Sequence, residues 1–234
     1  MIGGSGYLGK LVLPALADRH DISVMDVKSP PDGQWTFVEG SVEDYSALVS
    51  AMESTDALVY MAMGSAQHWG RPESFGPAFD INVKGVYLAL QAAHSAGVPH
   101  AVYTSSLSVY RHRDAPYPLE EAPTDAVDFY GLSKRLGEEV CRAAVTQWGL
   151  TVTALRLCFP VPDSAWPKEG DAFATATSTS ASDVARALLA ALEYRNGFEA
   201  ITISGDYEER WTRLEKARRL LDWAPLARPL TKRR

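Results

Sequence analysis

Three glycines at positions 3, 6 and 9, followed at once by the apolar-periodic run Leu11, Val12, Leu13 and Leu16, constrain this chain more than any other feature. A turn so rich in glycine lets backbone approach a phosphate closely. The helix it opens turns unpaired N–H groups and a positive dipole end toward an anion. The spacing Gly-x-x-Gly-x-x-Gly is a variant of the dinucleotide-binding fingerprint, a pattern that also arises by chance in bland turns. Distance adds weight to the binding reading. Ile22–Val27 reads as an apolar strand, and Asp26 at its end lies about 20 residues past the glycines, where a carboxylate would accept hydrogen bonds from an adenosine ribose.

The remaining chain alternates strand and helix. Trp35–Val38 reads as a strand, Val42–Met52 as a helix, Ala57–Met63 as an apolar strand, and Phe79–Ala96 as a helix stopped by Gly97. Strands follow at His100–Ser106, Thr151–Phe159 and Ala200–Ser204. Helices are expected at Tyr130–Trp148, at Asp183–Tyr194 with Ser182 as N-cap, and at Arg213–Leu221. Pro160–Ser182 reads as irregular. The alternation predicts an α/β fold, a doubly wound, Rossmann-like parallel sheet with helices on both faces. Residues 1–159 would form the dinucleotide-binding domain, and 160–234 a small substrate-binding region integrated with it. Only Met1 and Ile2 precede the first turn, so the first strand is expected to be cut short, with the true start upstream.

Composition bounds the function. The chain has 234 residues, 46% hydrophobic and 22% charged, as in a soluble globular protein. A net charge of −6 argues against a nucleic-acid partner. Cys141 and Cys158 have neither metal-ligand nor redox spacing and read as buried thiols of a reducing compartment. The five histidines are dispersed, so no metal is expected. With no signal peptide and no run of 18 apolar residues, the expectation is a cytoplasmic protein with no membrane partner. The basic Lys232–Arg234 tail reads as a solvated end.

Ligands of such sheets bind beyond the carboxyl ends of the strands. Tyr130 and Lys134 lie four apart on one helix face. A phenol titrates near 10, and an adjacent ammonium favours the phenolate, so the pair suits general acid–base chemistry on an alcohol or ketone. Ser105 and Ser106, at a strand's end, could hydrogen-bond the reacting oxygen. Gln67, His68, Arg111 and Arg156 are candidate substrate groups on strand-end loops or a strand. For Arg156 a buried pairing with a carboxylate or carbonyls is an equal alternative, and for His68 a plain surface position is the preferred reading.

Several stretches together resemble the extended short-chain dehydrogenase/reductases, the NAD-dependent epimerase/dehydratase family. These are the glycine turn, Asp26, Asn82-Val83-Lys84-Gly85, Thr104–Tyr110, Tyr130-x-x-x-Lys134, Leu155-Arg156-Leu157, Ser182–Ala187 and Leu220–Pro225. The resemblance implies NAD as cofactor, Tyr130 as acid/base, Lys134 lowering its pKa and holding the nicotinamide ribose, and Ser106 polarising the substrate. It places Gly3, Gly6, Tyr7 and Leu8 at the pyrophosphate, Asp26 at the adenosine ribose, and Ser41 and Val42 beside the adenine. Met61, Ala62 and Met63 would flank the ribose region, with Thr104 at its strand end, and Asn82 and Cys158 the nicotinamide half. It also implies a homodimer pairing the Phe79–Ala96 and Tyr130–Trp148 helices.

The chain departs from several branches of that family. Leu107-Ser108 stands where 4,6-dehydratases carry Asp-Glu, Phe159 where galactose-type epimerases have asparagine, and Ser41 where aspartate is frequent. Phe159 is counted with the substrate contacts. Pro160–Ser182 is short for a lobe that holds a nucleotide. The small members that oxidise uronic acids are the better match, although their Ser-Ser-Asn-His is Ser-Ser-Leu-Ser here. The expected reaction is hydride transfer between NAD and a small, sugar-like, acidic hydroxyl or carbonyl substrate. A nucleotide-sugar epimerase or dehydratase is the alternative. A non-catalytic dinucleotide sensor is the third reading, disfavoured because a sensor needs no Ser106, Tyr130 and Lys134.

Overall fold

Strand and helix alternate from the glycine turn onward in the computed structural model, which describes residues 1–30, 35–64, 71–111, 117–167 and 171–229. Gln67, His68 and Lys232–Arg234, named above, lie outside the described residues. Helix α1 (Tyr7–Ala17) leads to β1 (Ser23–Asp26), β2 (Thr36–Glu39), α2 (Tyr45–Ala51) and β3 (Leu58–Tyr60). Helix α3 (Pro72–Phe79) runs through a π-turn (Asp80–Lys84) into α4 (Gly85–Ser95), and β4 (His100–Ser106) follows. Then come α5 (Phe129–Trp148), β5 (Thr151–Leu157), β6 (Pro160–Val161), α6 (Ala172–Ala176), β7 (Thr179–Ser180), α7 (Ala181–Glu193), β8 (Phe198–Ile203) and α8 (Glu215–Leu221).

β1 pairs with β2, and β3, β4, β5 and β8 form a four-stranded row, all parallel. Ile2 joins the two groups. Its N–H donates to the Val59 carbonyl and its own carbonyl accepts from Met61, both at 2.9 Å, while Met25 N–H donates to Met1 at 2.8 Å. Met1 and Ile2 thus occupy the slot of the expected first strand, and the order reads β2, β1, Ile2, β3, β4, β5, β8. The chain leaves this slot toward β1 and later returns on its other side at β3. That reversal opens the crevice where ligands of such sheets bind.

Both faces of the sheet are covered, and for that reason every residue of β4 is buried. On one side Val12 and Leu16 of α1 and Val184 and Leu188 of α7 pack with Val59, Val102, Leu155 and Ile201, and Trp223 closes that layer. On the other, Leu48 of α2, Leu90 of α4 and Cys141 of α5 pack with Leu58, Ala101 and Tyr103. Two stretches singled out in the sequence meet here. The Asp183 carboxylate accepts from Leu226 and Ala227 N–H at 2.9–3.1 Å, its carbonyl accepts from Trp223 Nε1 at 3.0 Å, and Arg186 donates to the Ala224 carbonyl. β8, α7 and α8 therefore belong to the sheet and its layers.

Several boundaries differ from the sequence expectation, each for a local reason. α2 begins at Tyr45 rather than Val42 because Asp44 caps it, accepting from Ser46 and Ala47 N–H at 3.0 and 3.1 Å. α7 is capped by Ser180, which accepts from Asp183 N–H at 3.2 Å, and not by Ser182. The helix expected from Phe79 starts earlier, at Pro72 in the first turn, where proline's missing N–H costs nothing. The stretch after β5, expected to be irregular, holds α6 and the β6–β7 pair, strands of two residues each and too short to show an alternating pattern.

Candidate active site

The glycine turn sits at the reversal in strand order. Gly3 has φ +81°, and a Cβ there would collide with the Ala62 backbone, so only glycine lets the turn lie against the end of β3. α1 has no side-chain cap and no acid in its first turn, which leaves its amino end open to an anion. Ser5 Oγ, in the same turn, is buried and without a partner. Ser5 N–H donates to Asp26 Oδ2 at 2.9 Å, so the carboxylate at the end of β1 is held against the turn. An orphaned hydroxyl, an uncapped helix start and an anchored acid fit a dinucleotide's diphosphate and adenosine ribose. Tyr7 is exposed and its hydroxyl donates to the Pro160 carbonyl at 3.2 Å, while Leu8 is half-buried.

Along the crevice, Ser41 Oγ accepts from Glu43 N–H at 3.2 Å and Val42 is buried under Gly85 of α4. Met61 is buried, Ala62 half-buried and Met63 exposed at the end of β3. Asn82, buried, lies in the π-turn, a local widening of the helix that often marks functional positions. Its Oδ1 accepts from Gly64 N–H at 2.9 Å and its Nδ2 donates to Ser133 Oγ at 3.0 Å. Ser133 in turn donates to the Tyr130 carbonyl at 2.8 Å. Asn82 therefore ties the end of β3 to the first turn of α5.

β4 and α5 build the reactive corner. Asp128 caps α5 by accepting from Gly131 N–H at 3.0 Å, which puts half-buried Tyr130 in the first turn. A Cβ at Gly131 would collide with the Ser108 carbonyl oxygen, so α5 starts in direct contact with the turn that follows Ser106. Ser106 Oγ accepts from Ser108 N–H at 3.1 Å, leaving its own proton to donate. One helical turn past Tyr130, Lys134 is buried with Nζ donating to the Thr104 carbonyl at 2.8 Å, over the Tyr103 ring at 5.1 Å. Burial lowers the Lys134 pKa to about 8, against the opposing influence of Cys141 and Glu138. The Cys141 thiol is itself pushed far up by burial and is neutral, so the anion that supports the ammonium is Glu138.

The expected substrate groups separate. Arg156 is corrected: the guanidinium has no exposure, is bidentate to Glu138 at 2.9 and 2.7 Å, and donates further to Tyr110 Oη and the Glu120 carbonyl. Four of its hydrogen bonds are made inside the core, and with no exposure the group does not reach solvent. Arg111 is exposed, with its N–H held by Asp125 at 2.8 Å. Phe159 is 73% exposed, with φ at +20°, just past the Leu157–Ser106 register pair. A bulky residue held there is strained, a frequent mark of binding positions. Cys158 is buried with Leu107, Val109, Tyr110 and Tyr117, and burial raises its thiol to about 12. Sequence reasoning missed Glu138, although its spacing of four from Lys134 and eight from Tyr130 puts all three on one helix face.

With this geometry in hand, comparison with known proteins is specific. The model of the family described as "NAD dependent epimerase/dehydratase family" matches residues 1–172. An N-acetyl-alpha-D-glucosaminyl-diphospho-ditrans,octacis-undecaprenol 4-epimerase of Escherichia coli O157:H7 is 32% identical over 65% of this chain and 46% of its own length. A uronate dehydrogenase of Pseudomonas putida is 27% identical over 70% of this chain and 62% of its own. The chain spans about half the length of the first curated relatives it matches. Among solved structures, MoeE5 in complex with UDP-glucuronic acid and NAD superposes with a TM-score of 0.79 at 19% identity, covering 97% of this chain and 93% of that one.

Proposed function

Because the chain belongs to the NAD-dependent epimerase/dehydratase family, with NAD as its cofactor, we propose that it is a dehydrogenase acting on a small, sugar-like substrate that carries an acidic group. The observation that carries this reading is the seating of α5, which bears Tyr130 and Lys134, on the end of β4, which bears Ser106: Gly131 touches the Ser108 carbonyl and Lys134 donates to the Thr104 carbonyl. NAD, when bound, supplies the hydride acceptor. Tyr130 takes the proton of the substrate hydroxyl, Ser106 hydrogen-bonds the same oxygen, and the Lys134 ammonium stabilises the phenolate. Gly3, Gly6, Tyr7, Leu8 and Asp26 hold the diphosphate and adenosine ribose. Ser41, Val42, Met61–Met63, Asn82 and Thr104 line the way to the reactive corner. With Arg156 withdrawn into the core, recognition of the acidic group falls to exposed Arg111.

Support for a small substrate comes from the brief segment between β5 and α7, whose described residues hold two-residue strands, a 3-10 turn at Asp163–Ala165 and the five-residue α6. Similarity to a uronate dehydrogenase points the same way. A second reading, action on a nucleotide-linked sugar, is favoured by two observations: a UDP-glucose 4-epimerase of Lactobacillus helveticus is 30% identical over 67% of this chain, and MoeE5, of which this chain covers 93%, is in complex with UDP-glucuronic acid. Sugar acids and UDP-sugars offered with NAD separate the two. NADH released in step with oxidation of a free sugar acid supports the dehydrogenase. Efficient turnover of a UDP-sugar with NAD retained, and none of free sugar acids, overturns it.

A further inference from the structure

Arg156 and Glu138 form the most deeply buried ion pair among the described residues, with side-chain exposures of 0% and 1%. The Glu138 carboxylate accepts Arg156 Nε and Nη2, and its Oε1 also accepts Ser105 Oγ at 2.6 Å. Arg156 Nη1 continues to Tyr110 Oη, which donates to the Leu119 carbonyl at 2.9 Å. Such a pair contributes little net stability, because stripping water from two charges offsets most of their attraction. The best-attested use of such groups is to fix a register. Here three consecutive residues of one strand end meet one helix. Thr104 accepts from Lys134, Ser105 donates to Glu138, and Ser106 leads into the turn that Gly131 touches.

We propose that Glu138 is a positioning residue for the reaction: with Arg156 and Ser105 it pins the helix bearing Tyr130 and Lys134 to the strand end bearing Ser106. The inference rests on the dehydrogenase reading of this corner. The pin is stiff for a physical reason. A carboxylate holding three charge-assisted or hydroxyl bonds in a dry core cannot rotate without orphaning a donor. A slip of α5 by a fraction of a turn would therefore break it first.

The test compares the full chain with variants by thermal melting, by NAD affinity from calorimetry, and by turnover of D-glucuronate and D-galacturonate. Replacing the pair by apolar residues of similar size, Glu138→Leu with Arg156→Met, should leave melting at or above the parent's, as such swaps often do. NAD affinity should nevertheless fall about tenfold, and kcat by about tenfold or more, since small misplacements are costly to reaction. Ser105→Ala should lower kcat severalfold without changing melting, and Ser105→Thr, which keeps the hydroxyl, should restore it. A double variant that binds NAD and turns over within about twofold of the parent, or a Ser105→Ala variant indistinguishable from it, overturns the proposal. If the double variant fails to fold, the two serine variants decide alone. Should the parent oxidise neither sugar acid, NAD affinity still tests the positioning role, and only the substrate reading falls.

Discussion

Lys134 carries its charge where almost no water reaches, and two consequences of opposite sign follow. Its folded pKa is about 8, whereas an unfolded lysine titrates near 10.4. Below about 8 both states hold the proton and the cost of burial is full. From about 8 toward 10.4 the unfolded chain still binds a proton that the folded one has released, so this residue's contribution to the stability of the ligand-free protein rises with pH, by on the order of 3 kcal/mol in all. Melting of the parent should accordingly gain on Lys134→Met between pH 7 and 10. Turnover should move the other way, declining above about pH 8 as the ammonium is lost. Tyr130→Phe should lower kcat by about 10²-fold or more while NAD binding survives, because the ring's packing stays and only the proton-transfer group goes. At Asp26, a 2′-phosphate at ~4 Å and an effective dielectric of ~20 would meet repulsion on the order of 4 kcal/mol per charge pair, so kcat/KM should favour NAD over NADP. Equal use of both cofactors would count against that placement of the carboxylate.

Helices α2, α5 and α7 owe their starting points to single capping side chains more than to apolar period. Ser180 is buried and accepts from Asp183 N–H, whereas Ser182 is exposed on the first turn of α7. Ser180→Ala should cost about 1 kcal/mol by chemical denaturation, and Ser182→Ala close to nothing. A reversed ranking would return the cap to Ser182. α5 shows the same logic at a functional element. Asp128 sets its first turn, Gly131 lets that turn touch the strand end, and Gly149 at φ +71° ends it. Tyr130 and Lys134 were legible as a pair because helical spacing is local. The π-turn was not legible, because the bonds that Asn82 makes there go to Gly64 and Ser133, on other elements.

At the scale of the whole molecule, α4 and α5 lie side by side on one face of the sheet, where exposed Tyr87 meets half-buried Trp148 with ring centroids 5.3 Å apart and His94 stacks on Trp148 at 5.8 Å. The expected homodimer would bury this face twice across a two-fold axis. Light scattering should give about twice 25.5 kDa, and a clean monomer at micromolar concentration would exclude the pairing.

Features carried by near neighbours in the chain were determined by the sequence itself. They include the glycine turn with its helix, the acid about 20 residues on, the alternation that gives a parallel sheet, and the helical spacing of Tyr130 and Lys134. Each follows from backbone geometry or side-chain period over a few residues. Tertiary structure alone decided where Arg156 points, that Glu138 answers it, and how Ile2 seats between Met25 and Tyr60. Arg156 fits a substrate fork and a core ion pair equally well as a residue. Burial chose between them: with no exposure its charge demanded a partner, and only the packing of α5 against β4 and β5 put one there.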